Sequence, residues 1–121
     1  MSKRILTVDD SVTMRNLLRA VLSTAGFNIV QAEDGVKGLE ALNGDQFDVI
    51  VTDINMPNMD GFTFIEHLRA RPDNKSTPVL VLTTESDPEK KARARAAGAT
   101  GWIVKPFDPA KLLATINRVS P

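Results

Sequence analysis

The chain has 121 residues, of which 42% are apolar and 25% are charged, and this composition is typical of one globular domain spanning residues 1–121. Fifteen basic residues balance fifteen acidic ones, so no net charge draws the protein onto nucleic acid or a membrane. The lack of cysteine excludes disulfides and thiol catalysis. The sequence shows no membrane-spanning run and no signal-peptide core, and we therefore expect a cytoplasmic protein.

Five short apolar runs predict five strands, and segments with apolar residues three or four positions apart predict five helices that alternate with them. The strands are predicted at 5–8, 28–32, 49–51, 79–82 and 101–104. The helices are predicted at about 12–25, 35–43, 61–70, 90–97 and 109–119.

The apolar residues of each predicted helix define the face that should pack against the sheet. In the first two helices they are Met14, Leu17, Leu18, Val21, Leu22, Ala25, Val36, Leu39 and Leu42. In the third and fifth helices they are Phe62, Ile65, Leu68, Leu112, Leu113, Ile116 and Val119. The start of the fourth helix has two interpretations. Ser86 and Glu89 could form a capping box, or Asp87 could cap the helix with Pro88 at its first position.

Alternating strands and helices predict an α/β fold with a doubly wound, five-stranded parallel sheet. The handedness of the crossovers favours the flavodoxin-like strand order 2-1-3-4-5. The first and third strands are then neighbours, and the carboxyl ends of all five strands lie at one edge of the sheet. Folds of this class bind their ligands at that edge.

Polar side chains follow or close four of these predicted strands. Asp9 and Asp10 follow the first strand, Asp53 the third, Thr83 the fourth and Lys105 the fifth. The predicted fold brings these ends together, so three carboxylates would meet one lysine. Two carboxylates about 4 Å apart repel by about 4 kcal/mol at an effective dielectric constant near 20. We therefore expect a further cation to stabilise the cluster.

An oxygen-only cluster with open positions for water suits Mg²⁺. Such a site can receive a phosphoryl group, because Mg²⁺ neutralises charge on the phosphoryl oxygens while Lys105 and the Thr83 hydroxyl each bind one of them. The Asp53 carboxylate is then a candidate nucleophile that would form an aspartyl phosphate.

These features resemble the receiver domains of two-component response regulators. The resemblance covers nearly the whole chain and is carried by Asp9-Asp10, Asp53, Met56-Pro57-Asn58-Met59-Asp60-Gly61, Thr83 and Lys105-Pro106-Phe107. It implies a signalling protein and not an enzyme, with a single receiver domain and no output domain. It also implies that a histidine kinase is the partner that phosphorylates Asp53.

The resemblance further implies a Mg²⁺ cofactor and its ligands. Asp10 and Asp53 would bind the ion through their side chains and Asn55 through its backbone carbonyl, while Asp9 would assist through a water molecule. The Lys105-Pro106 peptide bond is implied to be cis.

Within this family, the chain is most similar to the stand-alone chemotaxis regulators of the CheY type. Asn55 lies two residues after the phosphate acceptor and Glu85 two residues after Thr83, a pairing that implies tuning towards fast dephosphorylation. Trp102 stands where the chemotaxis type usually has tyrosine. The resemblance implies that Thr83 and Trp102 form a coupled switch.

The fourth predicted helix carries a candidate partner face. Lys91 and Arg95 are four residues apart and share one side of the helix, while Ala92 and Ala96 could pack inward. With Trp102 beside them as an aromatic anchor, the basic residues predict a docking surface for an acidic segment of a partner protein. A merely solvated basic helix is the alternative. The resemblance implies a flagellar motor switch protein as the partner, with a phosphate sink or a non-chemotaxis regulator left open.

Two other functions are alternatives to a signalling protein when only the sequence is considered. A phosphatase of the haloacid dehalogenase type would carry its nucleophile on the first strand in an Asp-x-Asp pattern, but that strand ends in Asp9-Asp10-Ser11. A flavodoxin-like flavin carrier would need aromatic residues against the flavin ring, whereas this chain has no tyrosine and one tryptophan.

Overall fold

A computed structural model describes residues 3–121, which contain a five-stranded parallel sheet flanked by helices. The strands are β1 (Arg4–Val8), β2 (Asn28–Ala32), β3 (Val49–Thr52), β4 (Val79–Thr83) and β5 (Gly101–Val104). The helices are α1 (Val12–Thr24), α2 (Gly35–Ala41), α3 (Gly61–Arg69), α4 (Pro88–Ala97) and α5 (Pro109–Val119). A short 3-10 helix, Pro72–Asn74, lies in the polar loop before β4. Every predicted strand and helix is confirmed, with ends that differ by one or two residues.

The sheet has the strand order β2-β1-β3-β4-β5, which confirms the predicted topology. All neighbouring strands are parallel, and Val8 pairs with Thr52 at the ends of β1 and β3. Asp9 and Asp53, which follow these residues, therefore lie side by side. The parallel pairing of β4 with β5 brings Lys105 to the same edge of the sheet.

The hydrophobic core has two parts, one on each face of the sheet. The central strands are buried on both sides, which explains why their sequences are continuous apolar runs. On one face, helices α2, α3 and α4 pack over residues that include Leu6, Ile50, Phe64, Val81 and Ala94. On the other face, helices α1 and α5 pack through residues that include Ile5, Leu22, Val49, Leu112 and Ile116.

Several helical residues predicted to face inward are in fact exposed: Leu17, Ala25, Val36, Ala92 and Ala96. The buried stripe of α1 is narrower than its apolar periodicity, and Leu18 and Leu22 form its buried line. In α4 the buried residue is Ala94. Since successive helical residues are about 100° apart, burying Ala94 turns the residues two positions before and after it towards solvent. Arg93 supports this orientation, because its guanidinium lies 4.1 Å from the centre of the Phe62 ring on α3.

The helix starts agree with the local sequence. Ser11 caps α1 by accepting the Met14 N–H. At the start of α4, Asp87 accepts the Glu89 N–H and Pro88 occupies the first helical position, so the second of the two interpretations is right. Among residues 3–121, no helix is both long and apolar enough to cross a membrane.

Candidate functional site

Lys105 links two carboxylates at the carboxyl edge of the sheet. Its Nζ donates hydrogen bonds to Asp9 Oδ2 at 2.8 Å and to Asp53 Oδ2 at 3.0 Å. The three side chains are largely buried, with 10% of Lys105, 2% of Asp9 and 10% of Asp53 exposed. The Lys105-Pro106 peptide bond is cis, which confirms that expectation.

Asp53 directly follows β3 and is held from two directions. Its backbone N–H donates to the Val8 carbonyl at 2.9 Å and continues the ladder between β3 and β1. Its Oδ1 accepts the Ile54 N–H at 2.6 Å, and Oδ2 accepts the Lys105 ammonium. The carboxylate therefore has a fixed orientation on a rigid strand end.

The two aspartates after β1 differ in their surroundings. Asp9 is buried, its Oδ1 accepts the Ser11 N–H at 2.9 Å, and its backbone carbonyl accepts Arg15 Nη1 at 2.7 Å. Asp10 is exposed and can be reached from solvent. Asp9 is thus built into the fold, while Asp10 leaves the cluster open on one side.

The three carboxylates form a group that fits a divalent cation. Asp9, Asp10 and Asp53 each offer one oxygen, and these oxygens lie within 4.8 Å of one another. One lysine against three carboxylates leaves two uncompensated negative charges. An oxygen-only donor set that is open to solvent is the type that Mg²⁺ prefers. The further ligand implied by the family resemblance, the backbone carbonyl of Asn55, belongs to an exposed residue two positions after Asp53.

Burial and ion pairing oppose each other in this cluster. Burial raises the pKa of Asp9 above its ordinary value of 3.8, and the hydrogen bonds from Lys105 and Ser11 offset only part of this effect. Burial alone would lower the pKa of Lys105, but its hydrogen bonds to Asp9 and Asp53 outweigh burial and hold that pKa above 10.5. Lys105 therefore stays charged at neutral pH, whereas the fold disfavours the ionised form of Asp9.

Thr83 and Trp102, the predicted switch pair, both contact the backbone of Glu85. Thr83 is fully buried at the end of β4, and its hydroxyl accepts the Glu85 N–H at 3.3 Å. The Trp102 indole N–H donates to the Glu85 carbonyl at 3.1 Å. The Glu85 carboxylate forms an ion pair with Lys90 of α4 at 2.9 Å. One residue therefore connects the end of β4 with Trp102 and with α4.

The residues of the predicted partner face lie together. Lys91, Arg95 and Trp102 line one groove between α4 and β5, and Ala94 and Ala99 are among its other lining residues. The two alanines expected to pack inward from this helix do not do so, as described above. The docking role of the groove stays a prediction.

The sequence reasoning missed two contacts that support the site. One is the hydrogen bond from Arg15 to the Asp9 carbonyl, for which the sequence offers no signal. The other is a hydrogen bond from Asn58 Nδ2 to Asp34 Oδ2 at 2.8 Å. An asparagine after proline in a turn indicates a left-handed backbone, which could have marked Asn58 but not its distant partner.

Asp9→Asn should raise the free energy of unfolding of the metal-free protein at neutral pH. Because the pKa of Asp9 is raised on folding, the native state binds more protons than the unfolded state between pH 3.8 and the native pKa, and stability is lost as pH rises through this range. The variant lacks this loss, so its advantage should disappear below pH 3.8. Urea unfolding in EDTA at both pH values measures the difference. A variant less stable than the parent at neutral pH would contradict the assignment.

Comparison with known proteins agrees with this geometry. A family model described as response regulator receiver domain matches residues 5–117. Chemotaxis protein CheY-3 of Vibrio cholerae is 41% identical over 117 residues, which cover 96% of this chain and 90% of that protein. Chemotaxis protein CheY of Pseudomonas aeruginosa is 38% identical, over 96% of this chain and 94% of that protein. The structure of Vibrio cholerae CheY4 at low pH is 45% identical with a TM-score of 0.94, and the match covers 98% of this chain and 99% of that one. The chain therefore belongs to the family of response regulator receiver domains.

Proposed function

We propose that the protein is a phosphorylation-switched signalling protein of a two-component system that accepts phosphate on Asp53 from a histidine kinase. The observation that carries this proposal is the Asp53 carboxylate, fixed at the end of β3 by Lys105 and the Ile54 N–H beside two further carboxylates. Membership of the receiver family supports the same assignment. It also favours a signalling module over a phosphatase or a flavin carrier.

In the proposed transfer, an Asp53 oxygen attacks the phosphorus of a donor phosphohistidine. The new P–O bond forms as the P–N bond breaks, and the imidazole nitrogen keeps the electron pair and takes up a proton. Lys105 remains charged and stabilises negative charge on the phosphoryl oxygens. Mg²⁺, held by Asp10, Asp53 and the Asn55 carbonyl with Asp9 assisting through water, would supply the remaining positive charge.

The switch would begin at Thr83. Its hydroxyl now accepts the Glu85 N–H and would instead donate to a phosphoryl oxygen. That exchange frees the backbone of Glu85, whose carbonyl binds the Trp102 indole. Trp102 could then shift beside the groove on α4. In the same proposal, Asn55 and Glu85 tune the rate at which the phosphate is lost.

We also propose that the output is the binding of another protein in chemotaxis, with a flagellar motor switch protein as the partner. The support is the similarity to proteins named chemotaxis protein CheY-3 and CheY, of which the match covers 90% and 94%. The match along 90% and 94% of these relatives supports the proposal that the receiver domain itself binds the partner, and we propose the cytoplasm as the compartment in which it acts. A phosphate sink would carry the same phosphorylation site but would show no phosphorylation-dependent partner binding.

Asp53→Asn should abolish labelling by acetyl phosphate in the presence of Mg²⁺, because a carboxamide is a poor nucleophile. Intact-protein mass spectrometry detects the added phosphoryl group. The matched control is Asp73→Asn, which alters an exposed aspartate in the 3-10 helix before β4 and should label like the parent. Full labelling of Asp53→Asn would show that the acceptor lies elsewhere.

Reversing charge in the groove with Lys91→Glu and Arg95→Glu should weaken binding of the motor switch protein by at least about tenfold, because like charges would then face an acidic segment. Titration calorimetry of the beryllofluoride-activated protein measures this affinity. Acetyl phosphate should still label Asp53, which lies away from the groove.

The control for this experiment is the pair Arg19→Glu and Lys75→Glu, two exposed basic residues outside α4 and β5. This pair makes the same change in net charge and should leave partner binding close to that of the parent. Equal affinity of the groove variant and the parent would place the partner face elsewhere on the molecule.

A further inference from the structure

The loop between β3 and α3, residues 53–60, carries two of the groups that we assign to Mg²⁺, the Asp53 side chain and the Asn55 carbonyl. Backbone hydrogen bonds hold its two ends. The Asp53 N–H donates to the Val8 carbonyl at 2.9 Å, and the Gly61 N–H donates to the Ile54 carbonyl at 2.8 Å. Residues 55, 57 and 58 between these ends are exposed, so the middle of the loop depends on other contacts for its position.

The first such contact is a hydrogen bond to α2. Asn58, in a left-handed conformation with φ of 68°, donates from Nδ2 to Asp34 Oδ2 at 2.8 Å. The other oxygen of Asp34 accepts the Lys37 N–H at 2.9 Å and caps α2. These two bonds hold the pKa of Asp34 below its usual range, and only 5% of the residue is exposed. The contact is therefore a charge-assisted hydrogen bond on a nearly buried carboxylate.

The second contact is apolar. Met59 packs against the core beside Gly35, the first residue of α2. A Cβ atom at Gly35 would lie 2.9 Å from Met59 Cγ and 3.0 Å from Met59 Cβ. Because Met59 Cβ is attached directly to the backbone, a side chain at position 35 would require a small shift of the loop as well as of the Met59 side chain. The loop thus meets α2 at two consecutive residues, one polar and one apolar.

We propose that these two contacts, Asn58 to Asp34 and Met59 to Gly35, form a clamp that positions the Asn55 carbonyl for Mg²⁺. The inference rests on the proposed function, which supplies the metal. Asn55 lies between Ile54, held by Gly61, and the clamped Asn58. Without the clamp, residues 55–57 would keep the packing of Met56 against the core and the 3.4 Å hydrogen bond from the Asn55 N–H to Asp53 Oδ1, and metal binding would have to order the rest at a cost in affinity. The four clamp residues lie outside the proposed ligand set, and we assign them a positioning role.

Asn58→Gly tests the polar half of the clamp. Glycine adopts the left-handed backbone of position 58 without strain, and Asp34 keeps its capping bond to Lys37. We expect the dissociation constant for Mg²⁺ to rise by about tenfold, as for the loss of an outer-shell partner at other metal sites. The matched control is Asn43→Gly, which removes an exposed hydrogen bond between Asn43 and Arg71 away from the site.

Gly35→Ala tests the apolar half and separates positioning from general stability. Alanine favours the helix more than glycine does, and this gain offsets part of the cost of the new contact with Met59. We therefore expect a loss of Mg²⁺ affinity without a matching loss of melting temperature. A clamp that served only folding stability would lower both together.

The experiment is a Mg²⁺ titration followed by the amide NMR signals of residues 53–60, with melting temperatures measured on the same samples. Both clamp variants should bind more weakly than the parent and the Asn43→Gly control, and saturating Mg²⁺ should restore their labelling by acetyl phosphate. Parent-like affinity in both variants would overturn the clamp while leaving the proposed function standing. A parent whose loop signals do not respond to Mg²⁺ would overturn the proposed function, and the clamp's role with it.

Discussion

The hydrogen bonds from Lys105 to Asp9 and Asp53 are the interaction on which the rest of the site depends. They join residues that are 96 and 52 positions apart in the chain, and the parallel strand order brings them to one edge of the sheet. Lys105, Asp9 and Asp53 are largely buried at this edge. The single positive charge of Lys105 offsets only one of the three negative charges of Asp9, Asp10 and Asp53. The surplus charge that weakens the metal-free fold would also attract the divalent cation that we propose for the site.

Helix α4 is held at both ends, and the contacts at its start connect it to the site. Before its start, the backbone of Glu85 binds both Thr83 and the Trp102 indole. After its end, the Gly98 carbonyl accepts two hydrogen bonds from the Arg69 guanidinium, at 3.1 Å and 2.8 Å, which tie α4 to α3. In the proposed switch, a change in the Thr83 hydrogen bond would act on the segment before α4, while the bonds from Arg69 hold the other end of the helix. If Asp53 is phosphorylated as we propose, these contacts form a physical connection between the site and the groove on α4.

The fold and the residues at the strand ends could be predicted because parallel strands buried on both faces are continuous apolar runs, and their order places all carboxyl ends together. How many of the apolar residues on each helix are buried could not be predicted in the same way. Periodicity gives the direction of the apolar side but not how much of it the neighbours cover, so Leu17 and Val36 are 46% and 39% exposed. In α4, the apolar residues are four alanines and one proline out of ten residues, and they leave the rotation of the helix undetermined without the contact of Arg93 with Phe62. The contact of Asn58 with Asp34 joins two loops 24 residues apart, for which local sequence carries no signal.

The central claim is that the Asp53 carboxylate, which accepts a hydrogen bond from Lys105, is the phosphate acceptor. The most direct test is to locate the phosphoryl group chemically in the chain without substitutions. Borohydride reduces an acyl phosphate of aspartate to homoserine, and tandem mass spectrometry of the peptides then identifies the position. After labelling with acetyl phosphate and Mg²⁺, we expect homoserine at position 53 alone. Homoserine at Asp9 or Asp10, or stable labelling with no homoserine at all, would contradict the assignment of Asp53.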